Sequence, residues 1–159
     1  MEKSYEEYSC REKDVYGREI VMRILELYTD NTYTFKGTED EYDPTDLLFT
    51  ATTINFVSIP YTSEIKIRKE DRFFDTSFLE YSKFLNLKAL ADKGENVRYI
   101  MYWENYGILQ IFNINEIDPI KYPVVKRPMR HDNWSRRKVV KEVIELPRKI
   151  AKEITVKKD

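Results

Sequence analysis

The sequence predicts an α/β protein in which a mixed central sheet is flanked by helices. The expected order is α-β-β-β-α-β-β, then an irregular stretch, one extra C-terminal strand and a short helix. Three observations carry this expectation. Val21, Ile24, Leu25 and Tyr28 recur at the spacing of one helix face. Ser63-Glu64-Ile65-Lys66-Ile67-Arg68 alternates polar and apolar residues at the strand period of two. Helical and strand patterns also alternate along the chain instead of segregating, which favours helices layered on a sheet.

Taken in order, a helix is expected from about Glu12 to Tyr28, with Val15, Ile20, Met22 and Leu27 widening its apolar stripe. Asp30-Asn31 ends it, and Thr32 to Phe35 is a short first strand. An acidic loop follows, with Glu39, Asp40, Glu41, Asp43 and Asp46; its spacing fits no EF-hand. Leu47 to Thr53 is the second strand and Ile54 to Arg68 the third. The turn between them lacks the glycine of a tight hairpin. Pro60 cannot donate to a ladder and marks an edge or a bulge.

Ser77-Phe78-Leu79-Glu80 has the capping-box pattern and is expected to open the second helix. Phe78, Tyr81, Phe84, Leu85 and Leu87 form its apolar face, and Gly94 suits the left-handed position that closes it. Val97 to Trp103 and Ile108 to Ile114 are paired strands turning near Asn105. Pro119, Pro123 and Pro128 keep the next stretch irregular. Lys138 to Leu146 is the last strand, and Pro147 would begin a short helix through Glu153. Length predicts a single domain over 1–159, with 116–159 as a basic extension packed on it.

Composition narrows the function classes. The 27 Lys and Arg nearly cancel the 28 Asp and Glu, which excludes a uniformly basic coat but leaves room for a basic face. One cysteine, Cys10, excludes an intrachain disulfide framework. The polar, acidic N-terminus is no signal peptide, and no apolar run approaches the roughly 18 residues of a membrane span. The expected location is therefore the cytoplasm, the host cytoplasm if the chain is phage-encoded, with no membrane partner. His131 is the only histidine, so a zinc site of several histidines is excluded. With no glycine-rich phosphate loop, no nucleotide cofactor is expected.

The sharpest constellation is Asp46 with Glu64 and Lys66. On a strand, Glu64 and Lys66 share a face while Ile65 and Ile67 point to the core. If the second and third strands pair, the Asp46 carboxylate lies beside that of Glu64. Two close carboxylates repel unless a cation separates them, and hard divalent cations prefer such oxygen ligands. A neighbouring lysine can orient or deprotonate a water, or stabilise charge on a pentacovalent phosphate. The plain alternative is a solvated Glu-x-Lys strand face that only pairs across strands.

Tyr42-Asp43-Pro44-Thr45-Asp46, followed by Glu64-Ile65-Lys66-Ile67-Arg68 in this element order, resembles the PD-(D/E)XK nuclease superfamily. More narrowly, it is similar to small bacteriophage-type members of the restriction-endonuclease-like fold. The resemblance implies Asp46 and Glu64 as ligands of magnesium or manganese, with the Ile65 carbonyl as a further ligand. It implies Lys66 acting on the attacking water, Glu19 assisting from the first helix, and a DNA substrate. Asp43 is the competing first acid. Glu80 and Lys83 are minor candidates from the second helix, and a homodimer is an expected assembly. Glu19 has an alternative role facing water and pairing with Arg23, and Glu80 one in the capping box.

The C-terminal third is locally basic. Arg127, Arg130, Arg136, Arg137 and Lys138, with Trp134 interleaved, suit phosphate neutralisation and base stacking; the alternative is a solvated strand edge and loop. The leading expectation is thus metal-dependent hydrolysis of DNA. The runner-up is an inactive protein of the same fold that binds DNA or protein in a phage complex, since fold does not fix function. A weaker third is a structural or inhibitor protein whose tyrosine-rich surface binds another protein.

Overall fold

The structure, a computed structural model, describes residues 10–37, 47–130 and 138–157. Strands β1 (Thr32–Gly37), β2 (Leu47–Thr52), β3 (Ser58–Arg68), β5 (Val97–Trp103), β6 (Ile108–Asn113) and β9 (Lys152–Thr155) form a six-stranded sheet in the order β1-β2-β3-β5-β6-β9. Strands β4 (Thr76–Glu80), β7 (Val124–Arg130) and β8 (Lys138–Pro147) form a second sheet in the order β4-β8-β7. Only β3 and β5 run parallel, joined by a crossover through β4 and helix α2 (Tyr81–Asp92). The larger sheet is therefore mixed, as expected.

Helix α1 (Cys10–Tyr28) lies on one face of this sheet. Val21, Ile24 and Leu25 are buried there with Leu47, Phe49, Ile67, Ile100, Tyr102 and Leu109. Gly17 lets the helix come close, because a Cβ there would already touch Ile67 at 3.4 Å and Ile65 at 3.5 Å. On the other face, Phe84 and Leu87 of α2 and Leu79, Ile144 and Leu146 of the second sheet pack on Tyr99, Met101, Trp103 and Phe112. Strand β5 is consequently buried on both faces, as a central strand must be. Val15, Leu27 and Leu85 are exposed and do not extend the buried stripes.

Four expectations change. Ser77–Glu80 is strand β4 and not a helix start: Ser77 pairs with Leu146 and Glu80 with Val143 of β8. The Ser77 hydroxyl donates to Gln110 Oε1 at 3.0 Å, and Glu80 precedes α2 without any side-chain cap. Pro128 lies within β7, which is tolerated because β7 is an edge strand. The closing helix is only a 3-10 turn, Arg148–Ile150, after which β9 pairs with β6. Strand β3 starts at Ser58 instead of Ile54, because 53–57 form the turn. Pro60 faces Thr50 of β2 but precedes the pairing with β5, which starts at Thr62, so one side of the strand is unpaired there.

Gly94 takes a φ of 97° after α2, the left-handed position expected of it. The glycine missing from the β2–β3 turn has a cost: Phe56 adopts a φ of 62° while 89% exposed. A bulky side chain is strained in that region and gains no packing in return. Phe56→Gly is therefore expected to stabilise the protein by about 0.5–1 kcal/mol, measurable as a higher urea midpoint. A lower midpoint would show that the exposed ring contributes more than the strain removes.

Candidate active site

Alternation along β3 sends Ile65 and Ile67 toward α1 and Glu64 and Lys66 toward α2 and the second sheet. Glu64 is buried at 7% exposure. Lys83 Nζ, from the first turns of α2, stands 2.9 Å from Glu64 Oε1. Glu80, at the end of β4, accepts from Lys141 Nζ of β8 at 2.9 Å. Both Glu64 and Glu80 act electrostatically on Lys66, as do Lys83 and Arg68. Groups from β3, β4, α2 and β8 thus converge into one carboxylate–lysine cluster. A buried carboxylate persists only beside compensating charge, and Lys83 supplies it.

Lys66 is pulled down from 10.5 to about 8, first by desolvation, then by repulsion from Arg68 and Lys83, against attraction from Glu64 and Glu80. The residue is nevertheless exposed to solvent along the strand. Protein surrounds the ammonium while water still reaches the side chain, as on the floor of an open cleft, and that water screens part of the desolvation. A cleft of about 210 Å³ is lined by Arg68, Phe74, Thr76, Phe78, Met101 and Trp103. Met101 is the register partner of Lys66, which places the cleft against the cluster.

The lowered Lys66 value has a sign that can be tested on metal-free protein. Between about 8 and 10.5 the unfolded chain binds the proton more often than the folded one, so this residue makes stability rise with pH there. Below about 8 the penalty is fully present. Lys66→Met is expected to add about 1 kcal/mol at pH 7 after solvent screening, with the gain shrinking toward pH 10.5. Urea unfolding at pH 7 and pH 10 checks this; a gain that stays constant with pH would contradict the assignment.

Of the sequence-predicted residues, Glu64, Lys66, Glu80 and Lys83 are brought together. Glu19 is not: it is exposed on α1, which covers the opposite face of the sheet, and it is not among the charges acting on Lys66. Ile65 stands opposite Ile100 in the parallel ladder. Asp43 and Asp46 lie outside the described residues, as do His131, Trp134, Arg136 and Arg137. Arg127 is exposed and already engaged, with Glu145 at 2.8 Å and with its guanidinium 5.1 Å from the Phe78 ring centre. Arg130 and Lys138 are backbone partners at the far end of the β7–β8 ladder.

Lys141 was visible in the sequence only as one basic residue among many; its place beside Glu80 depends on the β4–β8 pairing. Among the described residues, no three of His, Cys, Asp and Glu are grouped as a ligand set. Glu64 offers carboxylate oxygens, the donor type hard cations prefer, and one of them is paired with Lys83 at 2.9 Å. No protein-family model and no curated protein matches the chain. Fold and site define a class at this point: a mixed α/β protein with a carboxylate–lysine cluster on the third strand of its main sheet. No helix among the described residues is long and apolar enough to cross a membrane.

Proposed function

We propose that this chain is a metal-dependent nuclease of the PD-(D/E)XK type that hydrolyses phosphodiester bonds in DNA with magnesium or manganese. The observation that carries the reading is the placement of buried Glu64 and solvent-exposed Lys66 on one face of β3, with Lys83 2.9 Å from Glu64. The main sheet, with β1, β2 and β3 antiparallel and β5 parallel to β3, supports a restriction-endonuclease-like core. Leu47, the residue after Asp46 in the sequence, pairs with Ser63, the residue before Glu64.

In this reading Asp46 and Glu64 hold the cation, with the Ile65 carbonyl as a further ligand. The bound metal supplies Lewis-acid stabilisation of charge on the phosphoryl oxygens. Lys66 orients the attacking water and, in its neutral form, accepts a proton at Nζ. Lys83 holds the Glu64 carboxylate in place and donates to a phosphate oxygen. The Glu80–Lys141 pair ties β4 to β8 within the second sheet and sets the Glu80 carboxylate where it acts on Lys66.

A second reading has one observation in its favour: the Lys83–Glu64 ion pair occupies the carboxylate. An inactive member of the fold, acting as a binding module, would keep such a pair permanently. Incubation with supercoiled plasmid and magnesium separates the two, with Asp46→Ala and Lys66→Ala proteins beside it. Nicking by the native chain and none by either variant is the result expected of the nuclease. Plasmid left intact by all three, with DNA binding retained, would establish the module instead.

A further inference from the structure

β8 is longer than its partner in the second sheet. β4 reaches only from Pro147 to Val143 along it, so Lys138–Glu142 is paired with β7 alone, opposite Lys126–Arg130. This part of the sheet is a two-stranded antiparallel ribbon. Of its ten residues, Lys126, Arg127, Arg130, Lys138 and Lys141 are cations and only Glu142 is an acid, so the ribbon is basic in a chain of net charge −1. Lys126, Arg127, Pro128 and Val140 are exposed.

We infer that the β7–β8 ribbon enters the major groove of a B-form DNA duplex and thereby restricts the substrate to double-stranded DNA. Two strands about 4.8 Å apart, with side chains, match a groove roughly 12 Å wide that admits such a ribbon. Five paired residues at about 3.4 Å each extend roughly 17 Å, long enough to lie within the groove and meet phosphates along its walls. The major groove of A-form RNA is too deep and narrow for side chains to read. A single strand offers no groove at all.

Two further features favour this occupant over a peptide added as a strand. Pro128 and flanking cations sit on the outer strand β7, and such residues blunt an edge against pairing with another chain. The root of the ribbon also meets the carboxylate–lysine cluster, since Lys141 donates to Glu80 and Glu80 acts on Lys66. A duplex gripped by the ribbon is therefore held beside that cluster. The inference rests on the nuclease reading for the role of the cluster, but duplex binding itself requires no cleavage.

The test is fluorescence anisotropy in EDTA with three labelled probes: a 20-base-pair DNA duplex, an RNA duplex of the same sequence and the single DNA strand, the length being about two helical turns. The native chain is expected to bind the DNA duplex at least tenfold more tightly than either other probe. Lys126→Gln with Arg130→Gln and Lys138→Gln is expected to weaken duplex binding at least tenfold. The slope of log affinity against log salt should fall by about three in that variant, one unit per lost phosphate contact. Lys126→Arg with Lys138→Arg should bind like the native chain, showing that charge and not packing is being read. Equal affinity for the RNA duplex or the single strand, native affinity in the triple variant, or no binding to any probe would each overturn the inference. Cleavage of plasmid by the native chain alongside any of these results would leave the nuclease reading standing, so the two can fail separately.

Discussion

On the proposed nuclease reading, Glu64→Gln is expected to lower magnesium-dependent DNA cleavage by roughly 10³-fold, about 4 kcal/mol of transition-state stabilisation, while the protein remains folded. The substitution is nearly isosteric and removes only the negative charge. A carboxylate that holds a divalent cation against a phosphate has no substitute in a neutral amide, because the developing charge on the phosphoryl oxygens is then poorly compensated. The fold tolerates the change for an equally local reason. The amide oxygen of the variant would still accept from Lys83 Nζ, which stands 2.9 Å from the native Oε1, and the cost of a desolvated charge disappears. A melting temperature near the native value together with cleavage at the plasmid-only background is the expected pair of results. Native cleavage by the variant would remove Glu64 from the mechanism, and a large loss of melting temperature would assign it a structural role.

Gln110→Ala is expected to destabilise the protein by about 3–5 kcal/mol, read as a lower urea midpoint. Gln110 is fully buried, and its Oε1 accepts from Trp103 Nε1 at 2.9 Å and from the Ser77 hydroxyl at 3.0 Å. Its Nε2 donates to Glu153 Oε2 at 2.8 Å, and Glu153 in turn holds Arg148 through both carboxylate oxygens. One side chain therefore links β4, β5, β6 and β9, and so joins the two sheets. Alanine leaves the serine hydroxyl and the indole N–H buried without this acceptor, and adds a cavity. Since whole-domain stability is typically about 5–15 kcal/mol, such a loss approaches complete unfolding. A loss under about 1 kcal/mol would mean that water replaces the amide. The same network is acid-sensitive in a defined sense. Hydrogen bonding from Arg148 holds the Glu153 carboxyl below its usual range, so its contribution is present at neutral pH and disappears as pH falls through the lowered value.

Gln110 also illustrates how function-bearing and structure-bearing polar residues differ in legibility. A glutamine inside Ile-Leu-Gln-Ile-Phe breaks an apolar run and could have been flagged as buried and partnered. Two of its partners, Ser77 and Glu153, however, come from strands that the local pattern did not predict. Glu64 and Lys66 were legible because the strand period alone puts them on one face, whatever the rest of the chain does. Glu80 and Lys83 were legible only as minor candidates, since the capping-box pattern offered its own account of Glu80. The pairing of β4 with β8 overrode that local preference, as tertiary contacts commonly override weak propensities.

What the amino-acid order determined by itself is whatever depends on neighbours a few residues away. The apolar stripe of α1, the alternation of β3, the β5–β6 hairpin and the left-handed Gly94 all follow from local periodicity and backbone sterics. The tertiary structure alone decided that 76–80 is a strand, that 152–155 is strand β9 on the edge of the main sheet, and that Lys83 pairs with Glu64 and Lys141 with Glu80. It also placed Glu19 on the helix that covers the other face. The physical reason is common to all of these. Strand pairing and charge compensation are contacts between segments far apart in sequence, and their free energy resides in a partner that no local window contains.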